Sequence, residues 1–159
     1  MDQLLKKQIK AFMTKDVVAV KSEDSIKNVF ELMKKHDIVG LPVVSDDMGV
    51  VGIVTESDLI KHFTTLSTPI GINVLGSVIY LDDLEDWSKN LKQHAAVSVQ
   101  DIMNSEVITI IEDQTLSEAI DLMANQGINR LPVVSETGKL SGMITRKDIV
   151  NQLAQLKNL

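Results

Sequence analysis

Cysteine is absent from the 159 residues. That absence removes disulfide frameworks, thiolate zinc sites and thiol nucleophiles together, and it suits a reducing compartment. Aromatic residues make up 3% of the chain, too few to build stacking platforms for single-stranded nucleic acid. Positive charge is also scarce, with 16 Lys and Arg against 22 Asp and Glu and a formal net charge of −6. Duplex nucleic acid is an unsuitable partner for such a chain, because affinity for it rests mostly on neutralising phosphates. No apolar run approaches the roughly eighteen residues needed to cross a bilayer, and the opening MDQLLKKQIK carries an acid and lysines where a cleavable leader has an apolar core. A folded, soluble, cytoplasmic protein with no membrane association is expected. Aliphatic residues are what the chain has in plenty: at 44% apolar it can bury one or two ordinary cores.

The stretch LPVVS occurs twice, at 41–45 and 131–135. Residues 9–60 slide over 99–150 without a gap: Met13 falls on Met103, Leu32 on Leu122, Ile38 on Ile128, Gly52 on Gly142, Thr55 on Thr145 and Asp58 on Asp148. A duplicated unit of about fifty residues is too small to be comfortably stable alone. The two copies are therefore expected to pack as one pseudo-twofold pair.

Each copy opens with a short β-branched run, VVAV or VITI, which predicts a strand. Ile26, Val29, Phe30 and Met33, and then Leu116, Ala119, Ile120 and Met123, recur at helical spacing. Thr115 with Glu118 has the capping-box pattern, and Ser25 with Asn28 a weaker form of it. GLPVVSDDMGVVGIVTESDLI and RLPVVSETGKLSGMITRKDIV each supply two apolar strands around a polar turn, then a helix. Pro42 and Pro132 are expected at strand starts, where a missing N–H is tolerated. The unit is thus β-α-β-β-α, an α/β (α+β) fold. In the intervening stretch TPIGIN reads as a breaker, VLGSVIYL as buried, and DDLEDWSKNLKQHAA as a helix with Leu84, Trp87 and Leu91 on one stripe. That segment either braces the pair or contributes a dimer contact. Leu5, Ile9 and Phe12 predict an N-terminal helix packed on the core.

The order of elements, the LPVV strand and the endings GIVTESD and GMITRKD resemble the cystathionine-β-synthase (CBS) domain, and two in tandem resemble the CBS pair, or Bateman module. The resemblance divides the chain into a lead-in at 1–8, repeat 1 at 9–62, an inter-repeat segment at 63–98 and repeat 2 at 99–159. The middle stretch INVLGSVIYLDD also resembles that of stand-alone prokaryotic CBS-pair proteins, so a complete small protein is expected.

A Thr and an Asp three apart at a strand-to-helix turn place a hydroxyl and a carboxylate together, and a carboxylate can accept both hydrogen bonds of a vicinal diol. A ribose offers that diol. The same residues also suit an ordinary helix cap. In the family, AMP, ADP, ATP, S-adenosylmethionine and cyclic di-AMP occupy clefts between repeats, with the Asp on the ribose. The resemblance therefore implies Asp58 and Asp148 as ribose anchors beside Thr55 and Thr145. It implies Thr14, Val17, Ile38, Leu41 and Pro42 around one base, and Asn104, Val107, Ile128, Leu131 and Pro132 around the other.

The copies differ where charge matters: Gly40 and Glu56 in the first stand where the second has Arg130 and Arg146. Arginine offers a planar fork suited to phosphate oxygens and glutamate repels them, so unequal sites are expected. His36, His62 and His94 lie far apart, and no zinc, triad or P-loop pattern is present. The expectation is a regulatory adenine-nucleotide sensor without catalytic residues, metal or required cofactor. By resemblance it forms a homodimer and acts on a downstream protein. The alternative is a ligand-free interaction or scaffold module, in which Asp58 and Asp148 would tolerate change.

Overall fold

The computed structural model describes residues 2–64, 71–74, 77–80 and 97–155. It begins with α1 (Asp2–Leu5) and a single 3-10 turn at Ile9–Ala11, so the N-terminal helix expected through Leu5, Ile9 and Phe12 is broken. The backbone explains the break. The Lys7 carbonyl accepts the Leu116 N–H at 2.9 Å, Ile9 N–H donates to the Gln114 carbonyl at 2.8 Å, and Lys10 N–H donates to Glu112 at 3.1 Å. Groups bonded to distant residues cannot also serve an i to i−4 ladder.

Helix α2 (Ile26–His36) starts at Ser25, whose Oγ accepts the Asn28 N–H at 3.2 Å, and ends at Asp37 in the left-handed region, φ 53°. Ile26, Val29 and Met33 are buried, but Phe30, expected on the same stripe, is 43% exposed. Strands β1 (Gly40–Val44) and β2 (Val50–Thr55) pair, and α3 (Glu56–Thr64) follows directly. Then β3 (Gly71–Val74) and β4 (Ser77–Tyr80) form an antiparallel pair running from Gly71↔Tyr80 to Val74↔Ser77. The end of TPIGIN, expected to be a breaker, is therefore strand: Ile72 pairs with Ile79 and Val74 with Ser77 along the backbone ladder. The helix expected over DDLEDWSKNLKQHAA lies outside the described residues.

Repeat 2 opens with a 3-10 turn at Val99–Asp101, capped by Ser98 and Asp101. Strand β5 (Ile110–Ile111) runs parallel to β6 (Arg130–Val134), which pairs antiparallel with β7 (Leu140–Thr145). Between them lies α4 (Leu116–Gln126), with a complete Thr115–Glu118 capping box, and the chain continues into α5 (Arg146–Ala154). The expected opening strands are short: VITI enters β5 only at Ile110, and VVAV makes only a parallel bridge from Val20 to Val43. Proline is the reason. Val20 N–H donates to the Pro42 carbonyl at 3.1 Å, and the next rung towards the N-terminus would need a Pro42 N–H, which does not exist. Pro132, third in β6 and one residue before the start of β5 pairing, limits the second copy in the same way. Both prolines thus lie inside their strands rather than at the start.

The chain divides into two compact units, one comprising Met1–Ala19, Val44–Gly52 and Ser105–Leu159, the other Val20–Val43 and Ile53–Asn104. Each unit holds most of one repeat with the opening residues of the other, and the first also holds the hairpin stretch Val44–Gly52. In the first, Ile9 joins Ile110, Leu116, Ala119, Met123, Leu131, Val133, Ile144 and Ile149 in one buried cluster, with Leu4, Phe12 and Met13 packed on it. Thr14 and Met143 exchange two backbone hydrogen bonds, both at 2.9 Å. Gly142 permits this approach, since a Cβ there would stand 2.8 Å from Met13 Cγ and 3.0 Å from the Thr14 carbonyl oxygen. The second unit repeats the arrangement at the same offset: Val99 N–H donates to Asp24, Ile26 N–H to Val97, and Asn104 and Ile53 exchange bonds at 2.9 and 3.0 Å.

Candidate functional site

The two strand-to-helix corners carry the chemistry. Thr145 ends β7 in an extended conformation and caps α5: its N–H and its hydroxyl donate to Asp148 Oδ2 at 2.8 and 2.6 Å, and the Asp148 N–H returns a bond to Thr145 Oγ1 at 3.3 Å. Thr55 before α3 makes the first two of these bonds, with N–H and hydroxyl on Asp58 Oδ2 at 2.8 and 2.6 Å. The cap is complete in the second copy, and in the first the carboxylate half of it is present. It uses one oxygen of each carboxylate. Among the described residues, Oδ1 of Asp58 and of Asp148 accepts no hydrogen bond. Both side chains are half-buried, so the cap fixes each carboxylate while leaving two lone pairs to be satisfied from outside.

Arg130 opposes Thr145 directly in the β6–β7 ladder, which puts both side chains on the same face of the sheet. Arg146 N–H ties the start of α5 to the Asn129 carbonyl at 2.8 Å, and Glu56 N–H ties α3 to Val39 at 3.1 Å. The opening segments are distributed differently from the sequence grouping. Thr14 and Val17, grouped there with Ile38, Leu41 and Pro42, fall in the unit that holds Asp148, and the backbone of Thr14 runs along β7. Asn104, grouped with Ile128, Leu131 and Pro132, falls in the unit that holds Thr55, Asp58, Ile38 and Gly40, against Ile53 of β2. Val107 remains with Ile128 and Arg130. Leu41 and Leu131 are wholly buried, and Pro42 and Pro132 are buried too, so these four belong to the cores. Thr14 and Asn104 are exposed, and Val17, Val107, Ile38 and Ile128 are half-buried.

Charge separates the corners. The first turn of α3 carries Glu56 and Asp58, whereas that of α5 carries Arg146 and Lys147 before Asp148. Two cations at a helix N-terminus oppose the macrodipole, so local helix stability does not account for them. In the sequence nothing sets Lys147 apart within TRKD; its place in the first turn of α5 does. Among the described residues no group of three or more His, Asp or Glu side chains is placed to hold a metal ion. No described helix is long and apolar enough to cross a membrane.

The profile of the CBS domain family matches residues 9–65 and 99–155. An uncharacterized protein of Methanocaldococcus jannaschii, MJ1426, is 35% identical over 91% of this chain and 90% of its own length. An inosine-5'-monophosphate dehydrogenase of Korarchaeum cryptofilum is 33% identical over 90% of this chain, but the match spans only 24% of that enzyme. Among solved structures, CBSX2 of Arabidopsis thaliana in complex with AMP has a TM-score of 0.72 and 26% identity, covering 96% of this chain and 99% of its own.

Proposed function

Since the chain belongs to the CBS domain family and contains two of its repeats, we propose that it is a regulatory module that binds an adenosine-containing ligand at its Thr-x-x-Asp corners and performs no chemistry of its own. The AMP complex of CBSX2, a protein this chain matches over nearly its whole length, supports AMP as the first candidate among AMP, ADP, ATP, S-adenosylmethionine and cyclic di-AMP. The observation that carries the reading is the half-engaged carboxylate: Asp148, held through Oδ2 by Thr145, retains Oδ1 for the ribose diol. In this reading Thr14 and Val17 lie beside the base at the Asp148 corner, with Arg130 and Arg146 on phosphate. Ile38 and Asn104 lie beside the base at the Asp58 corner. Each corner then draws residues from both repeats, and occupancy alters shape, homodimer association or affinity for a downstream protein. Such coupling is typically worth about 1–3 kcal/mol.

The test is a melting curve of the full chain with adenosine and the five candidate ligands. A ligand selective for the folded state raises Tm by mass action, by the equivalent of about 2.7 kcal/mol at a hundredfold excess over Kd. The expected result is a rise with AMP that falls away in the Asp58→Ala, Asp148→Ala double variant. No response to any adenosyl compound in the unaltered chain leaves the ligand-free scaffold reading in its place.

A further inference from the structure

Because it sharpens the adenosyl-binding reading above, this inference rests on it. The two corners hold their carboxylates through the same pair of threonine bonds, so a difference in what they bind is sought in the side chains that differ. At the second corner the strand and helix that meet beside Asp148 carry three cations, Arg130, Arg146 and Lys147. At the first, Gly40 replaces the arginine, Ser57 replaces the lysine and Glu56 stands at the first helical position, so the same three places carry one acid and no cation beside Asp58. Both Glu56 and Arg146 are exposed, and each is anchored through its own N–H to the carbonyl just ahead of the facing strand, Glu56 to Val39 before β1 and Arg146 to Asn129 before β6. The side chains at these positions therefore start from matching places beside matching carboxylates.

We infer that the corners select adenosyl ligands of opposite charge: the Asp148 corner takes phosphorylated nucleosides, and the Asp58 corner takes adenosyl groups that carry no phosphate, neutral or cationic, such as adenosine or a sulfonium-bearing S-adenosyl compound. The ribose contact is common to both. The group attached to the 5' carbon decides. A phosphate placed near Glu56 meets a like charge with no arginine on the facing strand, whereas a sulfonium there meets a counter-charge. At the other corner these preferences reverse, because Arg130 shares a sheet face with Thr145 and Arg146 leads the helix.

The test measures AMP, adenosine and S-adenosylmethionine by calorimetric titration of the full chain in two backgrounds, Asp148→Ala to leave the first corner and Asp58→Ala to leave the second. Adenosine, being neutral, reports the shared ribose and base contacts, and its binding to both backgrounds checks the adenosyl-binding reading independently of charge. The expected order is S-adenosylmethionine above AMP at the first corner and AMP above S-adenosylmethionine at the second. Glu56→Arg at the first corner should raise AMP affinity and lower that for S-adenosylmethionine, each by roughly tenfold. Raising the salt concentration should weaken AMP but not adenosine at the second corner. Should the alanine variants unfold, Glu56→Gln in the otherwise unaltered chain gives the same information, since it should narrow the gap between two AMP dissociation constants. Adenosine binding at both corners with no change in the ratio of AMP to S-adenosylmethionine on altering Glu56 overturns the charge selection alone. Absence of binding by all three compounds overturns the adenosyl reading with it.

Discussion

Replacing Gly142 with alanine tests how the opening segment of one repeat is fastened to the body of the other. A Cβ at this position would overlap Met13 Sδ, approach Met13 Cγ to 2.8 Å and stand 3.0 Å from the Thr14 carbonyl oxygen. The methionine side chain can swing aside. The carbonyl cannot do so freely, because it accepts the Met143 N–H at 2.9 Å while Thr14 N–H donates back at the same distance. Overpacking a close contact costs about 1–3 kcal/mol, and each backbone bond that stretches forfeits up to about 1 kcal/mol. The net loss should be about 2 kcal/mol, which in a chain of this size lowers Tm by about 6 °C. Calorimetry of Gly142→Ala, Met13→Ala and the double variant measures it. The double variant should recover roughly 1 kcal/mol of the sum, because removing the side chain of Met13 relieves two of the three contacts. Hydrogen exchange at the Thr14 and Met143 amides should quicken together. An alanine variant that melts with the parent, or a double variant whose losses simply add, refutes the reasoning.

Met48 sits at φ 69° in the first hairpin turn where the second has Gly138 at φ 77°. Met48→Gly should stabilise the protein by about 0.5–1 kcal/mol, the left-handed strain relieved less the extra entropy of glycine when unfolded, and urea denaturation reads the midpoint shift. Asp37 at φ 53° should gain less from the same change, because aspartate tolerates that region better than methionine. Glu118 has its pKa held below the ordinary 4.5 by the Thr115 N–H first, then by the Thr115 hydroxyl and Gln114. Its stabilising contribution is therefore complete above pH 4.5 and is lost as pH falls through the lower folded value, so Glu118→Gln should flatten the decline of Tm on acidification. Thr145→Val removes the hydroxyl that both donates to Asp148 Oδ2 and accepts its N–H, and should cost about 1 kcal/mol while weakening adenosine binding through a less firmly held carboxylate.

Much of the fold could be read from the letters because duplication printed it twice. Leu116, Ala119 and Met123 announce a buried helix face, Thr115 with Glu118 its start, and GMITRKD its final corner, all through side-chain patterns with a local period. What escaped detection depends on backbone. The bonds of Thr14 to Met143 and of Ile9 to Gln114 join groups that every residue possesses, so no residue type marks the fastening of each opening segment to the body of the other repeat. Pro42 is visible as a residue without a donor, but its effect falls on the neighbouring run VVAV, whose composition alone favours a strand. At the site, Thr55, Asp58, Thr145 and Asp148 are legible as pairs, and the cap is as apparent as the carboxylate. Only the geometry separates the bonded oxygen from its idle neighbour. Leu41 and Leu131 show the converse, since proximity in sequence to a functional flank says nothing about which way a strand residue faces.

The crossed fastening of the opening segments has a consequence for any shortened form of the molecule. A half-length chain containing only residues 9–62 would keep the donors and acceptors of residues 9–14 but lose the strand and loop that engage them, and its own groove beside Ile53 would lose Asn104. Such a half can restore those protein-to-protein bonds by lending its first turn to a second copy and borrowing one in return; otherwise water must take their place. Joining two copies in one polypeptide turns that loan between molecules into a contact that dilution cannot reverse.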